Sequence, residues 1–491
     1  MPVTLAEKNL TMLPPKVAAP RYDRAGLRSG IVHFGVGNFH RAHMAVYLDD
    51  LLNEGLDKDW GIVGAGVQPA DQEMRRRLAQ QDWLTTVVEA DNRGMDARVV
   101  GSMIDFLPIG DQTAILDRLE APSTRIVSLT ITEGGYFIDP ASGRFNPDHP
   151  AMMEDAAHPG SPKTIFGLMV AALRSRRKNG DKPFTVMSCD NIPQNGKVTK
   201  SVLIGLAHMS DPDLAIWIAD CVSCPNGMVD RITPATSEKE LDRVKISLSL
   251  LDAAPVFCER FKQWVIEDDF CAGRPMLERV GVTFVRDVEP FERMKMRILN
   301  GGHAAVGYAA ALLDLNFIHT AMAAPLIASF LRKVGSEEII PLVPDVPGID
   351  LHQYLAVVAE RFANVHINDT VRRVCFDGSN RQPKYVLPIV RDGLARGTAV
   401  EGLAFISALW ARYCYGETDS GMAIEANDPL WARLQTHARA ARLDPASFLA
   451  MEDIFGEIGR DKRYIEAFTK ALSSLWQSGA RKTIQLYLDN N

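Results

Sequence analysis

The feature that most constrains the fold is a change of pattern near Pro290 in the 491-residue chain. Before that point, short β-rich runs alternate with helical patterns, and such alternation is typical of βαβ units around a parallel sheet. After it, helical patterns dominate. We therefore expect an α/β fold in which an open parallel-sheet domain at residues 1–285 is followed by a mostly α-helical domain at residues 286–491.

Hydrophobic periodicity places the individual elements. Runs bounded by turn residues are read as buried strands at residues 31–34, 62–65, 125–131 and 184–188. Helices are expected among them at residues 40–52 and 164–178. In the second half, helices are expected at residues 290–313, 322–333, 351–362, 400–415, 429–441 and 464–478.

Composition argues against several kinds of partner. The formal charge is −7, with 61 acidic and 54 basic side chains, and this excess of acids argues against nucleic acid as a binding partner. No apolar stretch follows a basic start and no apolar window is long enough to cross a bilayer, so neither a secretory signal nor a membrane segment is expected. Seven cysteines, an odd number in a long chain, favour reduced thiols and a cytoplasmic protein.

No metal site is expected. Cys221 and Cys224 have the CxxC spacing, but a zinc site needs a second ligand pair at fixed spacing and none follows. His40 and His43 have no acidic or thiol companion nearby, which makes them a weak ligand set. Packed thiols are the simpler interpretation of the two cysteines.

A glycine turn follows the first predicted strand. Residues 35–43 read GVGNFHRAH and lead into a helix, which is the context of a dinucleotide-binding turn. Gly35 would allow the tight turn, and Gly37 would let the backbone approach a pyrophosphate at the helix N-terminus. The third glycine of the usual motif is missing, because His40 stands there. By itself this turn is weak evidence for a dinucleotide.

The second predicted strand is followed by an acid that could bind the ribose hydroxyls. This acid is Asp71, and it lies farther from Gly35 than the usual spacing of ~20 residues. Arg75 or Arg76 could instead meet a 2′-phosphate. NAD is preferred over NADP, and the sequence leaves that choice open.

Lys295, Asn300 and His303 lie within an apolar run that reads as one helix. At about 3.6 residues per turn, Asn300 and His303 are roughly 60° apart, Lys295 and His303 roughly 80°, and Lys295 and Asn300 roughly 140°. Buried polar groups need partners, and burial lowers the pKa of a lysine towards general-base use. The alternative is a helix whose lysine and histidine reach solvent while its apolar face packs.

Polar groups also follow later strands, at the edge where open α/β sheets bind ligands. Asn191 follows one of them and could equally be a turn residue, while Asp230 could simply pair with Arg231. The segments concerned are TITEGGY at 130–136, SCDNIP at 188–193 and PNGMVDRITP at 225–234.

Together, these motifs closely resemble the polyol-specific long-chain dehydrogenases, the mannitol dehydrogenase family. The resemblance runs from Gly30 to past Phe455. Its landmarks are GVGNFHRAH at 35–43, SLTITEGGY at 128–136, FTVMSCDN at 184–191, MVDRITP at 228–234, CERFKQWVIEDDF at 258–270, KMRILNGGH at 295–303 and CFDGS at 375–379. It implies a zinc-independent NAD(P) oxidoreductase with an N-terminal Rossmann-type domain, a helical C-terminal domain and an active site between them.

The resemblance also implies roles for individual residues. Lys295 matches the catalytic lysine, and Asn191 and Asn300 match the pair that polarises the reacting oxygen. The remaining matches are substrate contacts at Asp230, His303 and Arg373, and cofactor positions at Gly35, Val36, Gly37, Asn38, Phe39, Arg41 and Asp71. The lysine would take the alcohol proton while hydride leaves for the nicotinamide, so no metal is required.

The preferred reaction is NAD-dependent oxidation of a polyol such as D-mannitol to the ketose D-fructose. Gly134 is typical of the polyol dehydrogenases of the family, since the uronate reductases often carry a basic residue at that position. Arg381 stands where polyol relatives typically have lysine, and it could clasp a carboxylate or bind a hydroxyl. The alternatives are a fructuronate (uronate) reductase, a D-arabinitol or sorbitol dehydrogenase, and a non-catalytic NAD-binding protein. The oligomeric state stays open, and a monomer is compatible with the sequence.

Overall fold

The structure is a computed structural model that describes residues 2–139 and 143–489. The chain divides into two compact units, Met1–Val288 and Glu289–Asn491. None of the described helices is long and apolar enough to cross a membrane.

The N-terminal unit contains both strands and helices. Its strands are β1 (Val3–Thr4), β2 (Val17–Ala18), β3 (Ser29–Phe34), β4 (Gly61–Ala65), β5 (Thr85–Asp91), β6 (Gly94–Val100), β7 (Met103–Phe106), β8 (Ile126–Leu129), β9 (Thr185–Ser188), β10 (Gly227–Asp230), β11 (Leu250–Leu251), β12 (Val256–Glu259), β13 (Gln263–Glu267) and β14 (Thr283–Val285). Its α-helices are α1 (Asn38–Ala42), α2 (Met44–Asn53), α3 (Asp71–Ala79), α4 (Gln112–Glu120), α5 (Pro150–Ala157), α6 (Ile165–Asn179), α7 (Asn195–Ser210), α8 (Pro212–Cys221) and α9 (Glu238–Leu248).

A five-stranded parallel sheet forms the centre of this unit, in the order β7-β4-β3-β8-β9. All four predicted strands belong to it, which confirms the expected parallel sheet. Alternate residues face opposite sides, as the two-residue period of a strand requires. Val32 and Val127 pack into one core with residues of α6 and α7, while Ile31 and Ile126 pack into another with residues of α2.

Three further sheets of this unit were not predicted. One has the order β12-β5-β6-β2 and contains an antiparallel β5–β6 hairpin, the second has the order β10-β13-β14, and in the third β1 pairs with β11. The hairpin turn at Asn92 and Arg93 joins two β-rich runs and is followed by Gly94 with a φ of 139°. A tight turn between two β-rich runs is a local signal for a β-hairpin, and the alternation of strands and helices does not include it.

The C-terminal unit is helical, and none of its described residues lies in a strand. The expected helical character is therefore confirmed. Its α-helices are α10 (Glu289–Met294), α11 (Gly301–Leu312), α12 (Ile318–Ala323), α13 (Pro325–Val334), α14 (Leu351–Phe362), α15 (Val371–Cys375), α16 (Gly378–Arg381), α17 (Leu387–Arg396), α18 (Glu401–Cys414), α19 (Trp431–Ala440), α20 (Ala446–Leu449), α21 (Glu452–Phe455) and α22 (Lys462–Asp489). Its π-helical segments are Lys295–Asn300, Gly335–Ile339 and Gln382–Val386.

Three predicted helices differ from the observed ones in where they end, for identifiable reasons, and the helix expected at 290–313 is interrupted by the π-helical segment Lys295–Asn300. The helix expected at 40–52 is divided at His43, whose φ of −119° and ψ of −88° are not helical. The helix expected at 322–333 is divided just before Pro325, because the residue preceding a proline avoids the α region. The helix expected at 464–478 continues as α22 across a kink at Gly479, where φ is 74°.

Candidate functional site

The glycine turn lies between β3 and α1 and depends on two glycines in different ways. Gly35 has a φ of 91°, and a Cβ there would lie 2.1 Å from the carbonyl oxygen of Thr130, so only glycine fits. Gly37 has an ordinary φ of −96°, and a Cβ there would have its nearest neighbour at 3.8 Å. The space beside Gly37 is therefore open for a ligand to approach the backbone at the start of α1.

His40, which replaces the third glycine of the usual motif, is a core residue. Its ring stacks on that of His33, with centroids 3.5 Å apart and planes at 14°, and both are buried. His33 Nδ1 lies 2.8 Å from Ser128 Oγ, and its Nε2 lies 3.1 Å from the carbonyl oxygen of Gly35. Burial lowers the pKa of His33 to about 3 and holds that of His40 well below its ordinary value. Both rings are therefore neutral, and His33 supports the glycine turn.

The other side chains of the turn are committed to the protein. Arg41 is buried and donates to Asn38 Oδ1 at 2.6 Å, while Asn38 Nδ2 donates to the carbonyl oxygen of Pro234 at 3.1 Å. Val36 and Phe39 pack against the core that contains α2. These side chains shape the turn, and its backbone N–H groups are the donors suited to a pyrophosphate.

Asp71 is the first residue of α3 and lies near the end of β4. Its Oδ2 accepts the backbone N–H of Gln68 at 3.1 Å, and a Cβ on Gly66 would lie only 2.5 Å from that oxygen. Burial raises the pKa of Asp71. The rival arginines are engaged elsewhere: Arg75 Nε donates to carbonyl oxygens at the end of β7 and just beyond it, at 2.8 and 3.0 Å, and Arg76 pairs within its own helix at 2.7 Å.

Asn191 and Asp230 lie at the carboxyl ends of two different strands, and the buried amide of Asn195 links the end of β9 to the start of β10. Asp230 ends β10 and is buried, whereas Asn191 lies just beyond β9 and is exposed. Asn195 Nδ2 donates to the carbonyl oxygen just before Asn191 at 3.1 Å and to that of the first residue of β10 at 2.8 Å. Arg231 forms an ion pair with Glu89 at 2.5 Å.

Lys295, Asn300 and His303 lie on one continuous helical stretch, but it is not the ideal α-helix expected. A π turn at Lys295–Asn300 separates α10 from α11. Because a π turn is bonded from i to i+5, residues five apart are neighbours along its axis. The wide angle expected between Lys295 and Asn300 is therefore wrong, and the π turn brings their side chains towards one face. Such turns are frequent at functional sites.

Two atoms of this stretch are buried without a protein partner. Lys295 is 7% exposed and His303 is 8% exposed. Asn300 Nδ2 and His303 Nε2 have no hydrogen-bond partner among the described residues. A buried polar atom left unpaired costs ~1–3 kcal/mol, so these two are suited to meeting polar groups of a ligand.

His303 is held in a defined state by its surroundings. Its ring stacks on Phe362, with centroids 4.0 Å apart and planes at 14°. Burial first, and then the charges of Arg373, Arg381 and Arg361, hold the pKa of His303 well below its ordinary value. The imidazole is therefore neutral, with one nitrogen as donor and the other as acceptor.

The two predicted substrate-binding arginines lie in the same electrostatic environment as His303 but have different partners. Arg373 pairs with Asp369 through Nε and Nη2, both at 2.5 Å. Arg381 donates from Nη1 to the carbonyl oxygen of Val374 at 2.6 Å. The ion pair with Asp369 holds the guanidinium of Arg373, a residue of the short helix α15, in place.

One buried acid of this unit was not singled out from the sequence. Glu292 is 6% exposed and lies three residues before Lys295, at the end of α10. Residues at this spacing lie on neighbouring parts of a helix face. The spacing was visible in the sequence.

The fold and the site residues together define a class of protein, the dinucleotide-binding proteins with a Rossmann-type domain. A parallel sheet with a glycine turn after its central strand is a Rossmann-type, dinucleotide-binding arrangement, and here it is joined to a helical unit with buried polar groups. Among the residues that the structure describes, no group of three or more histidine, cysteine or acidic side chains is spaced to hold a metal ion.

Comparison with known proteins identifies the family. Residues 29–279 match the Mannitol dehydrogenase Rossmann domain, and residues 287–476 match the Mannitol dehydrogenase C-terminal domain. The chain therefore belongs to the mannitol dehydrogenase family, as the sequence motifs predicted.

Individual relatives cover almost the whole chain. A mannitol 2-dehydrogenase of Cereibacter sphaeroides is 54% identical over 96% of this chain and 99% of its own length. The solved Pseudomonas fluorescens mannitol 2-dehydrogenase, in ternary complex with NAD and D-mannitol, is 42% identical, with a TM-score of 0.90 and 100% of both chains covered. A solved D-sorbitol dehydrogenase in substrate-free form is 34% identical, also with a TM-score of 0.90, over 98% of this chain and 100% of its own.

Proposed function

We propose that this protein is an NAD-dependent polyol dehydrogenase that interconverts D-mannitol and D-fructose without a metal. The observation that carries the proposal is the π turn at Lys295–Asn300, which begins at buried Lys295. Among the described residues, the buried Nδ2 of Asn300 and Nε2 of His303 have no hydrogen-bond partner. Relatives named mannitol 2-dehydrogenase, at up to 54% identity over nearly the whole chain, support the choice of polyol.

The residues of the glycine turn fit NAD. Gly35 allows the tight turn and Gly37 leaves the space at the start of α1 open, and the backbone of residues 36–41 (Val36, Asn38, Phe39 and Arg41 among them) would bind the pyrophosphate. Asp71 would accept hydrogen bonds from the adenosine ribose and would repel the 2′-phosphate of NADP. The engagement of Arg75 and Arg76 elsewhere supports this preference.

Lys295 is the proposed general base. Its place on the π turn, where it is buried, suits Lys295 to accepting the proton of a secondary alcohol. When bound, NAD supplies a nicotinamide that takes the hydride from the same carbon. Glu292 is buried about one turn earlier on the same helical stretch, and we propose that it shares in moving that proton.

Two amides and a set of polar groups would hold the substrate. Asn191 and Asn300 would donate N–H groups to the reacting oxygen and stabilise its developing charge. Neutral His303 and the carboxylate of Asp230 would bind further hydroxyls. The unpaired Nε2 of His303 supports that role, because a substrate lacking the matching hydroxyl would leave it unsatisfied.

A second candidate substrate is a uronate such as fructuronate. The observation that favours it is the concentration of positive charge around His303, from Arg361, Arg373 and Arg381. Since Asp369 already pairs with Arg373, Arg381 is the arginine best suited to a carboxylate. Arabinitol and sorbitol remain alternatives within the polyol class.

We also propose a role for each of the two parts of the chain and a cellular compartment for the protein. Residues 1–285 would bind NAD, and residues 286–491 would supply the lysine and most substrate contacts. All seven cysteines are free thiols, which fits a reducing, cytoplasmic setting.

The deciding experiment follows NADH consumption with fructose, xylulose and fructuronate offered in parallel, then repeats the series with NADPH. We expect fructose with NADH to react fastest. Preference for fructuronate would instead identify the protein as a uronate reductase, and Arg381 would then be the residue that binds the carboxylate. Lys295→Ala should lower kcat ~10²–10⁴-fold while NADH binding is retained, with exposed Lys462→Ala as the matched control. Near-normal turnover of Lys295→Ala would refute the mechanism.

A further inference from the structure

The end of β9 is tied to the chain that follows β8 by one carboxylate. Asp190 Oδ2 accepts the backbone N–H of Ile131 at 2.9 Å, and its Oδ1 accepts that of Thr132 at 2.9 Å. The hydroxyl of Tyr136 also donates to Asp190 Oδ2, at 2.7 Å, and lies 2.6 Å from Ser188 Oγ. We call residues 130–136 the β8 loop.

The β8 loop is strained where Asp190 holds it. Thr132 has a φ of 63° and a ψ of 167°, a combination that is essentially restricted to glycine. For a β-branched residue this is a true outlier, and it persists only where surrounding contacts determine it. Two of the three donors to Asp190 are the N–H of Thr132 itself and that of the residue before it. The carboxylate is therefore the contact that fixes this conformation.

The ionisation states of Asp190 and its donors suit a contact that holds the β8 loop in place. Burial raises the pKa of Asp190, while the hydrogen bonds from Tyr136, Ile131 and Thr132 oppose that effect. Tyr136 is fully buried, and its pKa is raised well above the ordinary value, so it remains a donor. A carboxylate that accepts three hydrogen bonds holds its partners more strongly than a neutral acceptor would, because hydrogen bonds to an ionised acceptor are shorter and stronger.

The position of this contact gives it a functional consequence. β8 and β9 are neighbours in the parallel sheet, with Leu129 paired to Ser188, so their carboxyl ends meet at the ligand-binding edge. Asn191, the residue proposed to bind the reacting oxygen, directly follows Asp190 in the chain. A shift of Asp190 would carry Asn191 with it.

We propose that Asp190 is a positioning residue that sets the place of Asn191 relative to the β8 loop by holding Thr132 in its strained conformation. The inference rests on the proposed function only in the role given to Asn191. Asp190 itself is bonded to the protein on both oxygens and acts through its neighbours.

The experiment compares four forms of the full chain: the wild type, Asp190→Asn, Thr132→Gly and the double variant. Asp190→Asn keeps the shape but turns an NH2 group towards a donor, so we expect kcat to fall about 10- to 100-fold, the loss typical of a small misplacement, while KM for NADH changes less than about threefold. Because glycine adopts the Thr132 conformation without strain, Thr132→Gly in the Asp190→Asn background should restore kcat at least about threefold.

Controls separate positioning from general loss of structure. Asp111→Asn changes a carboxylate that caps α4 and has no contact with the β8 loop, so it should leave kcat unchanged. Tyr136→Phe removes a single donor to Asp190 and should lower kcat by less than Asp190→Asn does, which keeps the test usable should Asp190→Asn fold poorly.

Each outcome decides between stated alternatives. An Asp190→Asn variant with wild-type kcat would overturn the proposal, and so would a double variant no more active than Asp190→Asn. If the wild type does not oxidise D-mannitol, the proposed function fails. The unfolding temperatures then test the contact alone: Thr132→Gly should raise that of Asp190→Asn by several degrees, and no rise would refute the strain argument.

Discussion

Replacing Gly35 by alanine tests whether the geometry of the turn, rather than its side chains, makes the cofactor site. The carbonyl oxygen of Thr130 lies 2.1 Å from where the new Cβ would be, and the backbone φ of 91° is one that alanine adopts only at a cost. Gly35→Ala must therefore displace either the turn or the end of β8, by about 1 Å, to restore an ordinary contact.

The size of the effect follows from these two terms. A non-glycine residue at such a φ costs ~1–3 kcal/mol, and forcing an extra carbon into a packed site costs ~1–3 kcal/mol. The sum corresponds to a fall in unfolding temperature of roughly 3–10 °C for a unit of this size. A displacement of about 1 Å at the binding turn should also lower kcat/KM for NADH about 100-fold.

The assay pairs Gly35→Ala with Gly37→Ala, which is the matched control. At Gly37 the nearest atom to a Cβ is 3.8 Å away and φ is ordinary, so Gly37→Ala should unfold at the wild-type temperature. Its Cβ would still point into the space that a pyrophosphate needs, and KM for NADH should rise. Thermal unfolding and NADH titration are measured on both. A Gly35→Ala protein with wild-type stability and wild-type NADH affinity would refute this account of the turn.

Three further changes have defined outcomes. Asp71→Ala should narrow the NAD over NADP preference at least about tenfold in kcat/KM, since it removes a charge that repels the 2′-phosphate; an unchanged preference would show that Asp71 does not contact the ribose. Because the pKa of His303 lies well below its ordinary value, we expect the imidazole to be neutral at neutral pH and not to cause the acidic limb of the kcat profile. That limb should survive in His303→Asn, and its disappearance would show that His303 titrates. Glu338 accepts the N–H groups of Gly402 and Leu403, so Glu338→Ala should destabilise the C-terminal unit by about 2–6 kcal/mol, as measured by chemical unfolding; wild-type stability would show that those donors find other acceptors.

The sequence predicts the central sheet well because its strands are buried on both faces. β3, β4, β8 and β9 are short apolar runs bounded by turn residues, and βαβ order then requires them to be parallel. α14, at Leu351–Phe362, has the bounds expected from its 3.6-residue period. These elements are predictable because their signals are local.

What the sequence did not predict depends on contacts between distant segments. The π turn at Lys295–Asn300 changes the helical period without any proline or cap to mark it, so an ideal helix places Lys295 and Asn300 too far apart. The strained φ of Thr132 is likewise invisible, because the carboxylate that holds it, Asp190, lies more than fifty residues away. Family motifs supply the candidate residues, whereas only the structure shows what holds them.

The residues proposed to bind the cofactor and those proposed to bind the substrate satisfy their polar groups in different ways, and this bears on where specificity arises. In the N-terminal unit, Asn38 and Arg41 bond to protein atoms, so cofactor binding relies on backbone and shape. In the C-terminal unit, Asn300 and His303 each keep a buried atom that has no partner in the part of the chain that the structure describes. Leaving such an atom unpaired costs more than losing a contact at a surface, because water cannot replace the missing partner. Discrimination among polyols should therefore be strongest at the hydroxyls that meet these two atoms.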